Sequence, residues 1–110
     1  MGSEFGYQFS NKANDDADEI ITRLKSKYFD LAAASNFVES MLKTLQTLVL
    51  FPESGELVRN ENLISKNVRK TSFKSYFLYY IPKKEERIIF VLRIVHKKRK
   101  QDFIVKNMGA

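Results

Sequence analysis

At Phe51-Pro-Glu-Ser-Gly55 the spacing of apolar residues changes from helical to alternating, and this switch limits what the chain can build. Before it, Ala17, Ile20, Ile21, Leu24 and Tyr28 recur along one helical face, predicting an amphipathic helix over residues 13–28. Asp15, Asp16, Asp18 and Glu19 crowd its first two turns, where carboxylates complement the positive end of the helix dipole, and Arg23, Lys25 and Lys27 occupy its last turns. A second helix begins at Asp30, a good N-cap residue, and runs to Leu50 with Phe37, Val38, Met41, Leu42, Leu45, Leu48 and Val49 on one stripe. The short Tyr28-Phe-Asp30 link makes the two an antiparallel hairpin. Pro52 removes a helix donor and Gly55 admits a turn with positive φ, so the helical register ends there.

Beyond the switch, residues 68–73, 76–81 and 88–95 are aromatic, β-branched and alternating, with Pro82-Lys-Lys-Glu-Glu86 as the turn between the last two. Tyr7-Gln-Phe-Ser10 reads as a short first strand. Residues 56–67 read as a loop or a single helical turn, and 104–110 as a C-terminal tail. The expected fold class is α+β: an N-terminal strand and a helical hairpin packed on one face of a small twisted antiparallel sheet, whose other face stays open. Residues 1–6 read as an expression scar, leaving one domain over 7–103.

Charge is divided along the chain. The last 49 residues carry 13 Lys or Arg against 3 Asp or Glu, and the first 61 carry 6 against 10. The basic half calls for an anionic partner, and its densest stretch, Arg93-Ile-Val-His-Lys-Lys-Arg-Lys100, follows the apolar run Ile88-Ile-Phe-Val-Leu92. A buried strand therefore delivers the single histidine and four consecutive cations to one edge. Neutral imidazole at His96 can act as a general base on a ribose 2′-hydroxyl. Lys97, Lys98, Arg99 and Lys100 are expected to add to Arg69, Lys70, Lys74 and Arg93 in one field able to bind RNA or another polyanion. Tyr76, Tyr79, Tyr80 and Phe103 are the candidate stacking surfaces for bases.

Several classes are excluded or disfavoured. Without cysteine there is no disulfide, thiolate nucleophile or Cys-based zinc site, and one histidine rules out a two-histidine ribonuclease. The acidic cluster at the start of the first helix is explained by the dipole, so no metal and no cofactor is called for. No apolar run approaches the length of a membrane span, which leaves the cytoplasm as the expected compartment.

The phrases Ala13-Asn-Asp-Asp-Ala-Asp-Glu-Ile20, Phe51-Pro-Glu-Ser-Gly55, Val68-Arg-Lys-Thr-Ser-Phe-Lys-Ser-Tyr76, Phe77-Leu-Tyr-Tyr80 and Leu92-Arg-Ile-Val-His96, in this order, resemble the RelE/ParE superfamily of toxins from bacterial toxin–antitoxin modules. The likeness covers about Tyr7 to Phe103. It implies growth inhibition restrained by a cognate antitoxin in a toxin–antitoxin hetero-oligomer, and the family fold agrees with the one read from periodicity. Two mechanisms follow from the two branches: a RelE-like, metal-independent endoribonuclease acting on mRNA in the ribosome, or a ParE-like inhibitor of DNA gyrase without catalysis. A plain nucleic-acid-binding module is the third class.

The RelE-like branch implies Lys70 and Lys98 or Arg99 as catalytic; with His96 as the candidate base the expected catalytic set is Lys70, His96, Lys98 and Arg99, with Arg69, Lys74, Arg93, Lys97 and Lys100 expected on phosphate and Tyr76 and Phe103 stacking. Two positions depart from the best-known RelE pattern: Phe77 stands where it has arginine, and Phe103, without a hydroxyl, where it has a late tyrosine. The ribonuclease is the narrow preference, because clustered cations would stabilise the charge of a phosphorane-like transition state.

Overall fold

The computed structural model describes residues 5–26 and 29–108. Its elements run β1 (Gly6–Phe9), α1 (Asn11–Ser26), α2 (Leu31–Leu50), β2 (Glu56–Leu57), a 3₁₀ turn at Ile64–Lys66, β3 (Arg69–Phe73), β4 (Tyr76–Lys83), β5 (Ile88–His96) and α3 (Gln101–Met108). The five strands form one sheet in the order β1-β5-β4-β3-β2. The α+β class holds, but the sheet is mixed: β1 pairs with β5 in parallel, Gly6 opposite Ile88 and Phe9 opposite Val91. Gly6, expected within the scar, is the first residue of that strand.

α1 is preceded by Ser10, whose Oγ accepts from the Ala13 N–H at 3.0 Å, a capping bond of the usual kind. Its buried contacts are Ala13 and Ala17, two methyl-sized side chains that let the helix lie close to the sheet, flanked by Ile20, Ile21 and Leu24. Tyr28 and Lys27, placed on this helix by sequence, lie outside the described residues. α2 is capped by Asp30, whose carboxylate accepts from the Ala33 N–H at 2.9 Å. Phe37, Met41, Leu45 and Leu48 make its buried stripe, and Phe37 meets the rings of Phe73 and Tyr76 at 5.6 and 5.1 Å. Leu42, expected on that stripe, is exposed on the outer side.

The loop after α2 corrects one sequence expectation. Gly55 has no positive φ; a Cβ there would lie 2.6 Å from the Tyr80 hydroxyl and 2.9 Å from the Lys70 carbonyl. Glycine is needed because Tyr80 closes on the backbone. Its hydroxyl donates to the Pro52 carbonyl and accepts from the Gly55 N–H, both at 2.9 Å, so a buried polar tip is fully paired. Pro82 is likewise not in the turn: it is a buried β4 residue opposite Ile89, past the last β4 residue that pairs with β3, where the missing donor costs no ladder bond. The turn is Lys84–Arg87.

The sheet's second face is covered. Along β4, Tyr76, Leu78 and Tyr80 join the core under α1 and α2, while Phe77, Tyr79 and Ile81 join a second cluster of Val58, Leu63, Val68, Val95 and Ile104. Residues 104–108, read as tail, are the continuation of α3, which buries Ile104 on that face. The alternation breaks on β5 at a bulge, since Tyr79 faces Arg93 but Tyr80 faces Val91, leaving Leu92 extra. Two residues near the start of α1 stitch it: Ser10 Oγ donates to the Leu92 carbonyl at 3.0 Å, and the Asp16 carboxylate accepts from the Ile94 N–H at 3.0 Å. Among the described residues no helix is long and apolar enough to cross a membrane.

Candidate functional site

β5 ends at His96, and the four cations that follow form a stapled turn into α3. The Lys97 N–H donates to the Ser75 carbonyl at 2.8 Å, tying this turn to the β3–β4 turn, where Lys74 sits at φ 51°. The Gln101 amide donates to the carbonyls of His96 (3.2 Å) and Arg99 (2.7 Å), and its oxygen accepts from the Tyr79 hydroxyl at 2.7 Å. Lys74, Lys97, Lys98, Arg99 and Lys100 are all exposed, so a pinned backbone carries a row of cations along one end of the sheet. Phe103, exposed by 63 % on α3, lies beyond it. Gln101 was not picked out by sequence, since an amide beside a charge run carries no signal of what it will hold.

The other expected site residues divide. Lys70 lies on the second face, its Nζ 4.6 Å from the centre of the Phe77 ring, with Lys97 Nζ 5.6 Å from the same ring. His96 lies on the helix side, where it pairs with Tyr76 in register, their rings 5.5 Å apart, edge to face. The sheet thus stands between Lys70 and His96. Tyr76 packs into the core between Phe37 and Phe73, and its ring is no open platform. Tyr79 and Tyr80 are buried, and burial lifts both hydroxyls above the ordinary phenol range.

Two arginines assigned to phosphate are engaged within the fold. Arg93 binds Asp16 through both Nε (2.7 Å) and an Nη (3.1 Å), with the two side chains only 12 % and 11 % exposed. Asp16 is thus a partner of β5, and dipole complementation does not account for it. Arg69 donates to Asn67 Oδ1 and to the carbonyls of Glu53 and Gly55 at 2.9 to 3.1 Å, holding the α2–β2 loop. Lys84 bonds the Glu53 carboxylate at 2.9 Å, and this contact, helped by Arg69, holds that carboxyl below the ordinary range.

His96 has one further constraint. Its Nδ1 accepts from the Lys98 N–H at 3.0 Å, so in the neutral ring the proton belongs on Nε2. Folded this way, the neutral imidazole offers its Nε2–H as a donor to its surroundings.

A family model described as the ParE toxin of the type II toxin–antitoxin system, parDE, matches residues 7–101. The chain belongs to that family. Among solved structures it is similar to a chain of the chromosomal ParDE TA system from P. aeruginosa, with a TM-score of 0.65 and 18 % identity over 86 % of this chain and 98 % of that one. At that identity the likeness concerns the fold, and it reproduces the helical hairpin on a small sheet expected from periodicity. A search of curated proteins finds no significant match.

Proposed function

We propose that this chain is a growth-inhibiting toxin that acts by binding DNA gyrase, without catalysis, and is neutralised by a cognate antitoxin. Family membership supports the toxin and its antitoxin. The observation that carries the mechanism is the division of the cations. Cleavage at one phosphate would need Lys70, His96, Lys98 and Arg99 around a single point, because electrostatic stabilisation depends on donors aimed at the developing charge. Lys70 and His96 are instead on opposite faces, Phe77 fills the space beside Lys70, and His96 presents a donor. A row of cations on a rigid turn suits a broad anionic surface better, with long-range attraction speeding encounter.

The test pairs two assays on the purified chain. Supercoiling by gyrase should be inhibited in proportion to the chain added, while primer extension on ribosome-bound mRNA shows no new ends. Cleaved message together with unaffected supercoiling would reverse the proposal and favour the ribonuclease. Addition of the cognate antitoxin should restore supercoiling; failure to do so would remove the toxin–antitoxin pairing from the account.

A further inference from the structure

Between α1 and the end of β5 lies a groove of about 320 Å³ that meets the cation row at Arg99 alone. Its apolar lining comes from Ile20 and Leu24 on α1, Ile94 and Val95 on β5, and Tyr76 on β4. Its polar lining has more donors than acceptors. The Asp16 carboxylate is occupied by Arg93 and the Ile94 N–H, and Glu19 pairs with Arg23 at 3.5 Å. Arg99 also lines the groove, and among the described residues no carboxylate pairs with it. The Nε2 proton of His96 is a second donor, fixed in place by the bond at Nδ1.

We infer that this groove binds a monoanionic carboxylate carried on an apolar stem. Charge decides against a phosphate dianion, and the apolar floor of Ile20, Leu24 and Ile94 favours a carboxylate over a monoanionic phosphodiester, whose flanking sugars are polar. With Asp16 matched by Arg93 and Glu19 by Arg23, one guanidinium among the described residues of the lining remains to be neutralised, which fits one negative charge and would leave a phosphate dianion half unpaired in a partly enclosed site. The stem is apolar because the surface beneath the donors is. The volume is at the small end for ligand sites, enough for one residue-sized group. The same chemistry belongs to the C-terminal residue of a polypeptide and to a free aliphatic or aromatic acid.

The test uses the isotopically labelled full chain titrated with N-acetyl-leucine and followed by NMR at the His96 ring, the Leu24 methyls and the Ile94 amide. Saturable shifts at all three are expected, with N-acetyl-leucinamide and inorganic phosphate binding at least about tenfold more weakly, the loss expected for a missing charge-assisted hydrogen bond. Arg99→Ala, an exposed change, should weaken the acid by a similar factor, and Arg99→Lys should recover part of it. A peptide ending in a free leucine that binds more tightly than N-acetyl-leucine would assign the site to a chain terminus; the opposite order would assign it to a free acid. The inference is overturned if none of these signals moves, if the amide matches the acid, if phosphate binds more tightly, or if Arg99→Ala changes nothing.

Discussion

At the scale of single residues, the most constrained position is Gly55, where the ring and hydroxyl of Tyr80 leave no room for a methyl group. Gly55→Ala should destabilise the chain by about 1–3 kcal/mol through overpacking. Tyr80→Phe should cost about 1–3 kcal/mol by leaving the Gly55 N–H and the Pro52 carbonyl without their partner. The two changes share one contact, so urea unfolding of the double variant should show less than the sum. Tyr79 and Tyr80 also set an alkaline limit. Burial raises their folded pKa values above the unfolded value of 10.0, so the stability they contribute is complete below that pH and is lost as pH rises toward their folded values. Absorbance at 295 nm should record their ionisation only together with loss of the far-ultraviolet circular dichroism signal. Ionisation while the fold persists would contradict their burial.

At the scale of elements, the β5 bulge joins strand to helix, and the Asp16–Arg93 pair holds it. Removing Arg93 leaves a nearly buried carboxylate with one backbone donor, so Arg93→Ala should cost about 3 kcal/mol, whereas Asp15→Ala or Asp18→Ala should stay within about 0.5 kcal/mol. Equal effects of Asp15→Ala, Asp16→Ala and Asp18→Ala, measured by thermal unfolding, would restore the dipole explanation for all three. This pair also marks what the sequence could convey. Periodicity located both helices of the hairpin, the Asp30 cap and the three long strands, because each is a local repeat of one face. It could not show that Leu92 is an extra residue, and with that bulge the parity of Arg93, Ile94 and His96 inverts. Nor could it set β1 parallel to β5, a choice made by chain crossover and not by any residue in Tyr7–Phe9. α3 escaped notice because eight residues with one buried contact, Ile104, give too little periodicity to read.

At the scale of the whole molecule, the two halves of the charge distribution have separate uses. The acidic α1 supplies a partner to β5 and the groove, while the cations concentrated after His96 are exposed at one end of the sheet on a turn that Gln101 and Ser75 hold in place. The sequence located this row of cations correctly. It merged it with Arg69 and Arg93 because strand spacing alone does not say which side chains turn toward carboxylates or carbonyls. The central claim is that the row binds gyrase and that no single phosphate is cleaved. Its most direct test is inhibition of gyrase supercoiling by three forms of the purified chain: unchanged, with Lys97, Lys98 and Lys100 replaced by serine, and with Lys70 and His96 replaced by alanine. The account predicts that the serine form loses inhibition by at least about tenfold, with the loss smaller at higher salt as screening removes the attraction in the unchanged chain, and that the alanine form inhibits nearly as well as the unchanged chain. Full inhibition by the serine form, or loss confined to the alanine form, would contradict it.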